Sequence, residues 1–270
     1  MGKNLSILQC TMTTPTVAPP AAREALAWAH SARFLTTASR LDQLPAAELP
    51  EIAFVGRSNA GKSTAINTLA QQRRLAFASR TPGRTQHINL FAVGPKDAPD
   101  ALLADLPGYG YAAVERSAKL RWQQVMAEYL QWRRSLHGVV LMVDARLGLT
   151  DLDQRLLALI APRVATGEVR LLVLLTKADK LNRREAQAAL RAAQDALAPL
   201  AAQGEGQADI GVTLFSALKR EGVGDVAEVL HGWRAAPGVA ATAALAAASP
   251  DPQSGAAAAA AGPETALRRP

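Results

Sequence analysis

Gly56-Arg57-Ser58-Asn59-Ala60-Gly61-Lys62-Ser63-Thr64 spells G-x-x-x-x-G-K-S, and the residues on either side decide its meaning. The apolar run Ile52-Ala53-Phe54-Val55 leads in, and a helix-like stretch, 63–69, follows. The pattern therefore sits at a strand–loop–helix junction. Its glycines let the backbone wrap closely around an anion. The loop N–H groups and the positive end of the next helix then point at that anion. A lysine at Lys62 reaches the β- and γ-phosphates, and a hydroxyl at Ser63 suits Mg²⁺. Gly56 to Thr64 thus bind a nucleoside triphosphate of unspecified base.

Later stretches choose the base. Leu102-Leu103-Ala104-Asp105-Leu106-Pro107-Gly108 is an apolar run ending in D-x-x-G. A carboxylate at a strand end reaches Mg²⁺ through a water, and a glycine there brings its N–H to the γ-phosphate. Read alone, Asp-x-Pro-Gly is an ordinary turn. Its weight comes from its order and distance after the phosphate loop. The run 171–175 leads into Thr176-Lys177-Ala178-Asp179, which resembles the N/T-K-x-D element of GTP-binding proteins. The resemblance sets Asp179 on the guanine ring N–H and amino donors, with the Lys177 stem along the base. A carboxylate facing adenine would meet acceptors. Phe215-Ser216-Ala217-Leu218-Lys219 resembles the S-A-x-K loop, whose backbone also touches the base. Between these lies Thr81-Pro82-Gly83-Arg84-Thr85-Gln86, followed by His87. Thr85 fits a switch threonine that closes over Mg²⁺ and the γ-phosphate, and 83–87 line the same ligand.

In this order the elements make a translation-factor-type GTPase domain. G-R-S-N-A-G-K-S-T, T-P-G-R-T-Q, D-L-P-G-Y-G-Y-A, V-D-A-R-x-x-L-T-x-x-D, L-T-K-A-D-K-L and F-S-A-L-K together resemble the EngB (YihA/YsxC) family of bacterial GTPases, in the TrmE-Era-EngA-EngB-Septin-like class. The resemblance covers about 33–233. It implies a single cytoplasmic GTPase domain that assists late assembly of the large ribosomal subunit and is needed for normal division septum formation. Its partners would be the precursor of that subunit and its rRNA, met as a monomer. Arg146-Leu147-Gly148-Leu149-Thr150 lacks the family's usual His-Pro.

Composition fits one domain with tails. The chain has 270 residues and is 49% hydrophobic, with Ala, Leu and Val rather than aromatics filling the core. Cys10 is the only cysteine, so an internal disulfide is excluded and a reducing compartment fits. No run of about 18 uncharged apolar residues spans a membrane. Residues 1–20 read as a flexible Thr/Pro-rich arm. A leading helix is expected at about 23–39, the GTPase domain fills 21–234, and 235–270 is an Ala/Pro-rich tail without the side chains to order itself.

Within the domain, strands are expected at 51–55, 87–93, 101–105, 138–144, 169–176 and 210–215. Helices are expected at 61–71, 118–134, 151–164, 183–197 and 224–233, with Pro199 as a stop. Unbroken apolar strands call for helices on both faces. The expected architecture is an α/β, three-layer P-loop fold. Its six-stranded sheet is mixed but mostly parallel, with one antiparallel hairpin from 87–93 and 101–105. All the nucleotide motifs then fall at the carboxyl ends of strands.

Net charge is +7. Arg73, Arg74, Arg80, Arg84, Arg116, Arg121, Arg133 and Arg134 are expected near the switch segments. They read either as contacts to rRNA phosphates or as a solvated face. Trp122, Tyr129 and Trp132 on the 118–134 helix are either core or partner contacts. The reaction would be in-line attack of water on the γ-phosphate. Lys62, Thr85 and Gly108 stabilise the transferring group, with Mg²⁺ on Ser63, Thr85 and, through water, Asp105. Tyr109 stands where relatives often carry a water-orienting Gln, so intrinsic turnover should be slow. Asn59 matches the asparagine that binds K⁺ in related GTPases lacking that Gln, or it shapes the loop. Two other readings stay open: a ribosome-binding scaffold with GTP as a structural ligand, and a kinase or ATPase on the same loop.

Overall fold

The computed structural model describes residues 6–7, 20–46, 48–77, 87–110, 116–204 and 206–234; for 6–7 and 116–122 it gives the backbone alone. The expected switch threonine Thr85, with Gly83, Arg84 and Gln86, lies outside the described residues, as does most of 1–20 and all of 235–270.

Eight strands form one sheet in the order β1-β8-β7-β6-β3-β5-β4-β2. They are β1 (Ser6–Ile7), β2 (Arg33–Ala38), β3 (Glu51–Gly56), β4 (Ile88–Val93), β5 (Ala101–Asp105), β6 (Leu136–Asp144), β7 (Arg170–Thr176) and β8 (Ile210–Phe215). β4 pairs antiparallel with β5, as the turn residues between them require, and β3, β5, β6, β7 and β8 run parallel. The helices are α1 (Pro20–His30), α2 (Lys62–Leu69), α3 (Arg116–Trp132), α4 (Asp151–Ala165), α5 (Arg183–Gln203) and α6 (Val223–Gly232).

Side chains alternate between the two faces of the central strands. Ala53 and Val55 join a core with Leu156, Ile160, Ala193 and Leu197 of α4 and α5. Ile52 and Phe54 join another with Ala25, Ile66, Leu69, Val226 and Leu230 of α1, α2 and α6. Two-sided burial of this kind produces the continuous apolar runs seen in the sequence.

Four expectations change. The sheet has two strands beyond the expected six. The leading helix stops at His30, and Arg33–Ala38, expected as its last turns, is the antiparallel edge strand β2 on β4. Its residues, Arg-Phe-Leu-Thr-Thr-Ala, favour a pleated edge. The Arg33 guanidinium fixes it, donating to the carbonyls of Gly94, Pro95 and Lys96 at 3.1, 3.1 and 2.8 Å. Pro199 does not end α5, which continues to Gln203 because Leu197 and Leu200 are both buried and hold the final turn on the core. Arg133 does not face the switch segments. It pairs with Glu51, the first residue of β3, at the opposite end of the sheet from Gly56. On α3 Tyr129 is core, whereas Trp132 is 74% exposed.

Candidate nucleotide site

β3 turns into the phosphate loop at Gly56, where φ is 150°. A side chain there would stand 2.6 Å from the Met142 carbonyl oxygen, so only glycine lets β3 bend this close to β6. Asn59 (φ 64°) and Gly61 (φ 101°) supply the left-handed backbone that curls the loop before α2 begins at Lys62. Lys62 is buried. Its Nζ folds back over the loop, donating to the Gly56 and Arg57 carbonyls at 3.1 and 3.3 Å.

The D-x-x-G segment meets this loop. Asp105 ends β5, and its Oδ2 accepts the Ser63 hydroxyl at 2.6 Å. Its Oδ1 is buried and has no hydrogen-bond partner among the described residues. Burial pushes the Asp105 carboxyl up and the Lys62 ammonium down, while their mutual attraction opposes both shifts. An incoming triphosphate would favour the charged Lys62. The unpaired oxygen beside a serine hydroxyl is a hard, all-oxygen donor pair of the sort Mg²⁺ takes. No three His, Cys, Asp or Glu side chains cluster for a metal among the described residues. Buried Leu106 and Pro107 carry the chain on to Gly108. A side chain on Gly108 would lie 2.9 Å from Lys62 Nζ and 2.9 Å from Ser58 Cα, a close approach that only glycine permits.

The other half of the site is built on β7 and β8. The Thr176 hydroxyl donates to the Ala60 carbonyl at 2.8 Å, with the Val143 carbonyl at 3.1 Å. Lys177 takes a left-handed backbone (φ 58°), and its Nζ donates to Asp144 Oδ2 at 2.8 Å. Ala178 is buried. Asp179 Oδ1 accepts the hydroxyl of Ser216 at 2.8 Å, and Ser216 Oγ accepts the Lys219 N–H at 3.1 Å. The Ser216 hydroxyl holds Asp179 below the usual carboxylate range. An ionised carboxylate is an acceptor only, which suits the paired donors of a guanine edge. Phe215 is buried and anchors the strand end from which Ser216 and Ala217 project.

Gly56 to Thr64, Asp105 to Gly108, Thr176 to Asp179 and Phe215 to Ala217 therefore lie at the carboxyl ends of β3, β5, β7 and β8, on one edge of the same sheet. His87, also expected here, is exposed, and its Nδ1 lies 2.8 Å from the hydroxyl of Ser39 beside the edge strand. Two residues of the V-D-A-R-x-x-L-T-x-x-D stretch were not assigned to the site from sequence. Asp144 takes hydrogen bonds from both Arg146 and Lys177; its signal was a carboxylate at the end of an apolar strand, which the sheet registers against Thr176. Asp153 accepts the Tyr109 hydroxyl at 2.6 Å. A cavity of about 170 Å³ lies between the phosphate loop and the start of α4, lined among others by Ser58, Asn59, Asp144 and Asp153.

Comparison with known proteins gives a consistent answer. Residues 51–177 match the family model described as 50S ribosome-binding GTPase. The probable GTP-binding protein EngB of Acidovorax ebreus is 62% identical over 208 residues, 77% of this chain and 90% of that protein. The one from Polaromonas sp. is 58% identical over 219 residues, 81% of this chain and 85% of that protein. Among solved structures, a probable GTP-binding protein engB superposes with a TM-score of 0.52 at 19% identity, covering 68% of this chain and 98% of its own. Aquifex aeolicus Era bound to GDP and AlF₄⁻ gives 0.55 at 18% identity, covering 69% of this chain and 57% of its own. These two likenesses speak for the P-loop GTPase fold, and the sequence relatives for the family. The chain belongs to the EngB family of GTP-binding proteins and is a GTP-hydrolysing enzyme.

Proposed function

We propose that this enzyme is a GTP-controlled switch in assembly of the large ribosomal subunit, acting as a cytoplasmic monomer and needed for normal septation. The observation that carries the switch is the position of Gly108 against Lys62 Nζ and Ser58. A segment seated there must respond when a γ-phosphate arrives or leaves. The ribosomal part rests on the matched family's description as 50S ribosome-binding and on the chain's net charge of +7. No helix among the described residues is long and apolar enough to cross a membrane.

In this reading the N–H groups from Arg57 to Thr64 cradle the phosphates and Lys62 neutralises charge on the transferring group. Ser63 and Thr85 would hold Mg²⁺, and Asp105 would reach it through water. The ion, when bound, offsets charge between the β- and γ-phosphates. Gly108 would offer its N–H to the γ-phosphate, and Gly83 to His87 would line the same ligand. Thr176 to Asp179 and Phe215 to Ala217 hold the base. Tyr109 leaves the attacking water unassisted, so turnover is slow until a partner or an ion acts. Asn59, exposed on the phosphate loop, is the K⁺ ligand.

Sedimentation with ribosomal particles tests the switch. The protein should co-sediment more strongly with a non-hydrolysable GTP analogue than with GDP; equal amounts in both states would remove it. Hydrolysis should run faster in K⁺ than in Na⁺ buffer, and equal rates would remove the role of Asn59.

A further inference from the structure

Tyr109 directly follows the D-x-x-G glycine and joins three parts of the molecule. Its backbone carbonyl accepts the Ser58 N–H at 2.8 Å, and its own N–H faces the Gly56 carbonyl at 3.4 Å. These bonds extend the β3–β5 ladder into the phosphate loop. Its ring is buried in the core on the α4 face. Its hydroxyl donates to Asp153 Oδ1 at 2.6 Å. Asp153 lies in the first turn of α4 and is 1% exposed. The other carboxylate oxygen accepts both the N–H and the hydroxyl of Thr150, at 2.8 and 2.6 Å. One buried carboxylate thus caps a helix and seats the segment carrying Gly108. Burial and the Asp153 charge hold the phenol protonated, so it stays a donor.

We infer that Asp153 is a positioning residue for the γ-phosphate, setting through the Tyr109 hydroxyl where Gly108 stands over Lys62. The inference rests on the GTP-hydrolysing site described above and adds a residue to it. Glycines on both sides of Tyr109 leave the segment a wide choice of backbone conformations. Without an anchor, that freedom must be lost when the γ-phosphate binds, and affinity falls accordingly. GDP has no γ-phosphate for Gly108 to meet, so its affinity should not depend on the anchor.

The fold contains a matched control. At the other end of the sheet Tyr129 donates to buried Glu51 Oε2, also at 2.6 Å. That bond has the same chemistry and touches no nucleotide loop. The experiment uses the full chain as Tyr109→Phe, Asp153→Asn, the double variant and Tyr129→Phe. Each is measured for binding of a non-hydrolysable GTP analogue, binding of GDP, and thermal melting. Tyr109→Phe keeps the ring and the α4 cap, so it remains informative should Asp153→Asn fold poorly. Tyr109→Phe should weaken the analogue about tenfold and GDP by less than about twofold, the scale of one hydrogen bond to a charged group. The double variant should be no weaker than Asp153→Asn. Tyr129→Phe should lower the melting temperature and leave the analogue-to-GDP ratio at the parent value. Equal weakening of both nucleotides by Tyr109→Phe, an unchanged ratio, or multiplying effects in the double variant would each overturn the role of Asp153. A parent chain that binds neither nucleotide would instead count against the site itself.

Discussion

Thr176 and Ala60 are 116 residues apart in the chain, and the hydroxyl of one donates to the carbonyl of the other at 2.8 Å. Thr176 opens the base-binding stretch and Ala60 belongs to the phosphate loop, so this bond locks the two halves of the site to each other. Their strands are not neighbours: β6 lies between β3 and β7, and the Thr176 hydroxyl also reaches the Val143 carbonyl on it at 3.1 Å. The Thr176 hydroxyl thus ties the phosphate loop to the end of β7 across three strands.

Thr176→Val keeps the shape and strand preference but removes that donor, leaving the buried Ala60 carbonyl unpaired. GDP and GTP affinities should both fall, by about five- to thirtyfold for a loss of roughly 1–2 kcal/mol. Equilibrium binding of both nucleotides checks it. A loss confined to one would show that the bond does not serve the shared part of the ligand.

Asp179→Asn replaces a double acceptor with one acceptor and one donor. Guanine offers two donors on that edge, whereas xanthine offers one donor and one acceptor. GTP binding should fall by about a hundredfold or more, as when a polar site is left mispaired. Xanthosine triphosphate should gain relative to the parent. Competition binding with GTP, XTP and ATP reads this directly, and an unchanged preference for GTP would move base recognition elsewhere.

The parallel core of this fold was legible because its strands are buried on both faces and flanked by phosphate- and base-binding patterns. The stretch 52–55 is apolar on both sides, and the sheet explains why. β2 was not legible because its pairing is decided by distant carbonyls at Gly94 to Lys96, which no local pattern announces. The Tyr109–Asp153 bond was hidden differently. Asp153 reads locally as the partner of Thr150 in a helix cap, and it is that too. Its second duty joins residues 44 apart and becomes visible only once α4 packs against the phosphate loop.

Glu51, Tyr129 and Arg133 form a buried cluster at the end of the sheet away from the nucleotide loops. Arg133 Nη2 lies 2.5 Å from Glu51 Oε1 and also donates to the Pro45 carbonyl at 2.7 Å. Arg133→Ala leaves a fully buried carboxylate without its counter-charge and should cost about 3–5 kcal/mol of stability. Urea denaturation measures the loss. Nucleotide affinity, read in the same preparation below the transition, should be unchanged.

Asp144 gives the acid side of the stability curve a recognisable shape. The hydrogen bonds from Arg146 hold its carboxyl far below the usual carboxylate range. Burial opposes the shift, and Lys177 adds to it. The unfolded chain, with an ordinary value of about 3.9, binds a proton that the folded state still refuses. The stabilisation is thus fully present above that value and is lost as pH falls toward the depressed one. Between about pH 5 and pH 2 the parent should lose stability faster than Asp144→Asn, which has no proton to take up at that position. Denaturation midpoints measured across that range test it. Parallel curves for parent and variant would mean that the Arg146 and Lys177 contacts do not set the acid response.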